Sequence, residues 1–112
     1  MKTILIVEDE LGPRESLKMI LGSHYNIEVA ENGPKAVDIL SKKKIDGVTM
    51  DLRLPGPCGI EVLKQIKLKF PAIEVLVITG YGTLRTALDA MRYGAYNYLL
   101  KPFNIDEVVD LI

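Results

Sequence analysis

The chain has one cysteine, one histidine and almost no net charge, and these shortages remove several functions before any motif is read. Cys58 alone can form no internal disulfide, and there is no thiol or imidazole cluster for zinc, so a reducing cytoplasm is the expected compartment. A formal net charge of −1 offers no basic field for gripping a nucleic acid backbone. The one basic run, Lys42-Lys43-Lys44, reads as a solvated helix end that favours the helix dipole. Direct nucleic acid contact by this segment is not expected. No apolar run approaches the ~20 residues that cross a bilayer, and Met1-Lys2-Thr3 leads straight into a strand-like run without room for a signal peptide. Neither a membrane nor an export route is expected. Repeats, low-complexity tracts and linkers are absent too, and 112 residues suit one domain with a real core.

What the sequence does have is alternation. Runs of β-branched and apolar residues bounded by turn residues predict strands near 3–8, 26–31, 46–51, 74–79 and 96–100. Between them lie helical patterns. The first runs from about Pro13 to Leu21 with Leu17, Ile20 and Leu21 on one face, and the second starts at Pro34. A third covers Gly59 to Phe70 with Ile60, Leu63 and Ile66 inward, stopped by Pro71, which has no N–H to donate. The fourth carries the stripe Leu84, Ala87, Leu88 and Met91 and ends near Gly94. A fifth repeats the stripe with Ile105, Val108, Val109 and Ile112, and is expected to be cut short by the end of the chain. Such a (βα)5 order predicts an α/β fold, a doubly wound five-stranded parallel sheet with helices on both faces, because right-handed crossovers are the common way to join parallel neighbours.

In that fold the carboxyl ends of the strands come together, and ligands bind there, where the strand order reverses. Four strand ends carry polar residues: Glu8-Asp9, Asp51, Thr79 and Lys101. Glu8, Asp9 and Asp51 would repel one another if bare, since two like charges about 4 Å apart cost about 4 kcal/mol at an effective dielectric of 20. An all-oxygen site with room for water suits Mg²⁺, which shares its shell readily with a phosphate. Lys101 adds an ammonium and Thr79 a hydroxyl donor, so the set could stabilise charge on a phosphoryl group moving onto Asp51 as nucleophile.

The motifs Ile4-Leu5-Ile6-Val7-Glu8-Asp9-Glu10, Asp51-Leu52-Arg53-Leu54-Pro55-Gly56, Thr79-Gly80 and Tyr98-Leu99-Leu100-Lys101-Pro102-Phe103 together resemble the receiver domain of two-component response regulators, over essentially the whole chain. The resemblance implies a flavodoxin-like sheet in the order 2-1-3-4-5. It implies that Asp51 accepts phosphate from a sensor histidine kinase, and that Glu8, Asp9, Asp51 and the backbone carbonyl of Arg53 hold Mg²⁺. Lys101 and Thr79 would contact the phosphoryl group. Tyr98 stands at the family's aromatic switch position, and Glu8 stands where many members have Asp. The run from Thr79 to Phe103 looks most like receivers of sigma-54-dependent transcription activators, which implies an output domain beyond residues 1–112. Self-association on phosphorylation through the fourth helix, fifth strand and fifth helix, and a cis Lys101–Pro102 bond, are further expectations. Two side chains, Arg53 and Tyr81, would flank the water that removes the phosphate.

Rival functions fit the residues less well. A flavodoxin-type cofactor binder would place phosphate at the loop after the first strand, where Glu8-Asp9-Glu10 repels it. A phosphatase-like hydrolase using Asp51 would want a second acid two residues on, where Arg53 stands. A phosphorylation-independent docking domain would not need both the Asp51 acceptor and Lys101.

Overall fold

The computed structural model describes residues 2–54, 56, 58–80 and 84–100. Five strands form one parallel sheet: β1 Thr3–Val7, β2 Asn26–Ala30, β3 Gly47–Met50, β4 Glu74–Thr79 and β5 Asn97–Leu100. Their order is β2-β1-β3-β4-β5, so the direction of winding reverses between β1 and β3. Four helices alternate with them: α1 Leu11–Gly22, α2 Gly33–Lys42, α3 Gly59–Lys69 and α4 Leu84–Arg92. The doubly wound α/β fold and each strand are as the sequence predicts. The fifth helix, Lys101, Tyr81 and the Lys101–Pro102 bond lie outside the described residues.

The central strands are apolar on both sides because both faces are covered. In β1 the residues Ile4 to Val7 are all buried, and so are Val75 to Thr79 in β4. Alternate side chains then feed two cores. Leu5, Val7, Val48, Met50, Val75 and Val77 pack under α2, α3 and α4, while Ile4, Ile6, Leu76 and Ile78 pack against Leu17 and Leu21 of α1. Thr49, on β3, is 2% exposed and its hydroxyl has no hydrogen-bond partner among the described residues.

Local chemistry sets the helix starts. Asn32 caps α2, its Oδ1 accepting the Lys35 N–H at 2.8 Å, with Pro34 in the first turn. At α3 the chain doubles back: the Gly59 N–H donates to the Leu52 carbonyl at 2.9 Å, and a Cβ on Gly59 would collide with the Leu52 backbone. Only glycine lets the segment after β3 close this tightly.

Two inward faces differ from expectation. In α3, Leu63 and Ile66 are buried as expected, but Ile60 is half-buried and Val62 takes the remaining core position. In α4 two residues of the apolar stripe face outward. Leu88 is 62% exposed and Met91 47%, while Ala90 sits in the core with no exposure.

Candidate functional site

The register brings the candidate residues to one place. Val7 lies level with Ala30 on one side and Met50 on the other, and Met50 lies level with Val77. Glu8 and Asp51 therefore leave adjacent strands together at the point where the winding reverses. Each continues the ladder by one bond: the Glu8 N–H donates to the Ala30 carbonyl at 3.0 Å, and the Asp51 N–H to the Val7 carbonyl at 3.1 Å.

Both carboxylates are buried, Glu8 at 2% exposure and Asp51 at 4%, and Asp9 and Glu10 are exposed beside them. One oxygen from each of Glu8, Asp9, Glu10 and Asp51 lies within 4.8 Å of all the others. Backbone donors fix two of the four. The Arg53 N–H donates to Asp51 Oδ1 at 2.9 Å, and the Glu10 N–H to Glu8 Oε2 at 3.2 Å. The arrangement fits a hard cation. Its donors are all oxygen, they are close enough to share one ion, and the two exposed acids leave one side open to water, as Mg²⁺ prefers. Gathering this much negative charge is unfavourable by Coulomb's law, and a cation offsets it.

Glu8, Asp9 and Asp51 thus meet as the sequence suggests, and the Arg53 backbone stands at the carboxylate of Asp51. Glu10 joins them unanticipated, because its part depends on the path of the backbone between β1 and α1. Thr79 closes β4 with no exposure, level with Leu100 of β5. Tyr98 is half-buried on β5 beside Val77, and its hydroxyl shares a 3.1 Å hydrogen bond with Thr86 Oγ1 of α4. Cys58 and His24 are exposed, as are Lys42, Lys43 and Lys44. Among the described residues no helix is long and apolar enough to cross a membrane.

A family model described as the response regulator receiver domain matches residues 4–112. An NtrX-like response regulator of Rickettsia bellii is 39% identical over 112 residues, covering 97% of this chain and 23% of the relative. The chain therefore spans about a quarter of that relative's length. Sporulation initiation phosphotransferase F of Bacillus subtilis is 38% identical over 110 residues, covering 97% of this chain and 89% of the relative. Among solved structures, the beryllofluoride-activated NtrC4 receiver domain dimer superimposes with a TM-score of 0.92 at 31% identity, covering 99% of this chain and 93% of that one.

Proposed function

The chain belongs to the response regulator receiver domain family, and from that membership we propose that it is a phosphorylation-controlled switch with Asp51 as the acceptor, a sensor histidine kinase as the donor and an output domain as the receiver of the signal. One observation carries the assignment. Asp51 is a buried carboxylate at the end of β3, where the winding reverses, with Glu8, Asp9 and Glu10 converging on it within 4.8 Å.

Glu8, Asp9, Asp51 and the Arg53 carbonyl are the residues that would hold Mg²⁺, which when bound neutralises charge on the phosphoryl oxygens. The remaining work falls to the chain. An Asp51 oxygen forms the new P–O bond as the P–N bond to the kinase imidazole breaks, and the released nitrogen takes up a proton from solvent. The Arg53 N–H on Oδ1 holds the carboxylate in one orientation beforehand, so little rotational freedom is lost on reaction. Thr79 and Lys101 contact the transferred group, as the family pattern implies. When the Thr79 hydroxyl is drawn toward it, space opens behind, and Tyr98 turns inward to fill it. The domain assists its own phosphorylation and dephosphorylation and is no enzyme toward a separate substrate.

The partners follow from this reading. Residues 1–112 form the receiver of a cytoplasmic regulator whose output is transcriptional, and any DNA contact falls to the output domain. The great length of the NtrX-like relative supports such an output. Phosphorylation drives homodimer formation, in keeping with the activated NtrC4 receiver dimer and with exposed Leu88 and Met91 on α4.

Incubation with acetyl phosphate, with and without Mg²⁺, tests the assignment by intact mass. One phosphoryl group should be gained only with Mg²⁺, and Asp51→Asn should gain none while its circular dichroism is unchanged. Undiminished labelling of Asp51→Asn would overturn it.

A further inference from the structure

Arg14 stands in the first turn of α1, where its N–H donates to the Glu10 carbonyl at 3.2 Å. Its side chain is only 16% exposed, and a guanidinium so covered needs partners, because an ionised group removed from water costs free energy unless it is paired or hydrogen-bonded. It has two. Nη1 donates to the Glu8 carbonyl at 3.4 Å and pairs with Glu31 Oε1 at 3.8 Å. Glu31 is 60% exposed, so the ion pair alone contributes little.

The consequence lies at Glu8. Its N–H is bound to Ala30 of β2, its side chain accepts from the Glu10 N–H, and its carbonyl faces Arg14. Glu31 directly follows Ala30. A single guanidinium therefore spans from α1 to the β2–α2 connection and passes over the backbone of the buried acid.

We propose that Arg14 is a positioning residue for the cation site: by holding the Glu8 carbonyl and the Glu31 carboxylate it fixes the backbone from which Glu8 reaches the site, and so raises the affinity for Mg²⁺. The proposal rests on the reading of the acid cluster as a Mg²⁺ site. It predicts the opposite sign from simple electrostatics. A positive charge beside the cluster repels a divalent cation, so on Coulomb grounds alone its removal would tighten binding. Loss of a group that orients a ligand instead weakens it, typically 10- to 100-fold.

Isothermal titration of the protein with Mg²⁺ decides between them, alongside Arg14→Gln, Arg14→Lys and Glu31→Gln. Arg14→Gln should raise Kd at least about 10-fold, Arg14→Lys should recover part of the loss, and Glu31→Gln should raise Kd by a smaller factor. Amide hydrogen exchange at Glu8 and Glu10 should quicken in Arg14→Gln in the metal-free protein, while exchange in α3 is unchanged. An unchanged or lower Kd in a folded Arg14→Gln overturns the positioning role. If that variant does not fold, unchanged Kd values in both Arg14→Lys and Glu31→Gln overturn it. Absence of Mg²⁺ binding by the unsubstituted protein overturns the site reading and this role together, whereas normal binding there with an unaffected Arg14→Gln overturns the role alone.

Discussion

Helices α3 and α4 lie on the same face of the sheet and are held by different means. α3 sinks Val62, Leu63 and Ile66 into the core, each at 1% exposure or less. Among its described side chains α4 buries only Ala90 completely, and it turns Leu88 and Met91 to solvent. Buried apolar area stabilises by about 25 cal/mol per Å², so among the described side chains large groups anchor α3, while α4 contributes fully buried Ala90 and half-buried Ala87. Polar contacts add to α4's attachment. Thr86 bonds Tyr98 of β5, and the Lys64 ammonium of α3 lies 4.2 Å from the ring centroid of Tyr93, just past the end of α4. A hydrogen bond from Lys64 to Glu61 at 3.2 Å raises the pKa of that ammonium above its ordinary value. The contrast fits the proposed switch, in which α3 continues from the segment that carries Asp51, whereas α4 comes after Thr79 and has fewer fully buried apolar contacts among its described side chains.

The largest test of this contrast is a matched pair of truncations. Leu63→Ala should cost about 3 kcal/mol, from lost burial and a cavity. Leu88→Ala should stay within about 0.5 kcal/mol, as exposed substitutions do. Urea unfolding of the two variants measures both, and equal costs would show that α4 is anchored as firmly as α3.

A smaller effect is expected where polar contact replaces packing. Tyr98→Phe removes the hydroxyl that reaches Thr86 and should cost about 1 kcal/mol. Its clearer sign is local. Amide exchange in α4 should quicken while exchange in α3 is unchanged, and a uniform change across both helices would mean that this bond does not hold α4 in particular.

The sequence made the sheet legible because β-branched runs between turn residues have few alternatives once five of them alternate with helical patterns. Predicted 74–79 is β4 as found, and predicted 46–51 is Gly47–Met50 with one residue of loop at each end. The acids were legible for the same reason, since strand ends in a parallel sheet converge wherever the chain goes next. What the sequence hid depends on the third dimension. A helical stripe reveals an apolar face but not what covers it, so Leu88 and Met91 read like core while Ala90, with one methyl, gave no signal. Glu10 and Arg14 act through backbone geometry between β1 and α1, and periodicity carries no information about that path.

The outward stripe on α4 yields the smallest change in stability and the sharpest functional test. Leu88 is 62% exposed, so replacing it by a carboxylate removes almost no buried area. Glutamate is nearly as good a helix former as leucine, and at this position it would lie three residues after Arg85 and four before Arg92. Each opposite-charge pair contributes about 0.2–0.5 kcal/mol, so the Leu88→Glu monomer should be as stable as the parent or slightly more so. Self-association is different. In a two-fold interface the same residue is contributed by both subunits, so one substitution brings two carboxylates into the contact, and each must lose water. If the exposed face of α4 forms the activated dimer, sedimentation velocity with beryllofluoride should show dimer for the parent and monomer for Leu88→Glu. Dimer formation undiminished by Leu88→Glu would place the contact elsewhere and leave α4's outward leucine without a role in assembly.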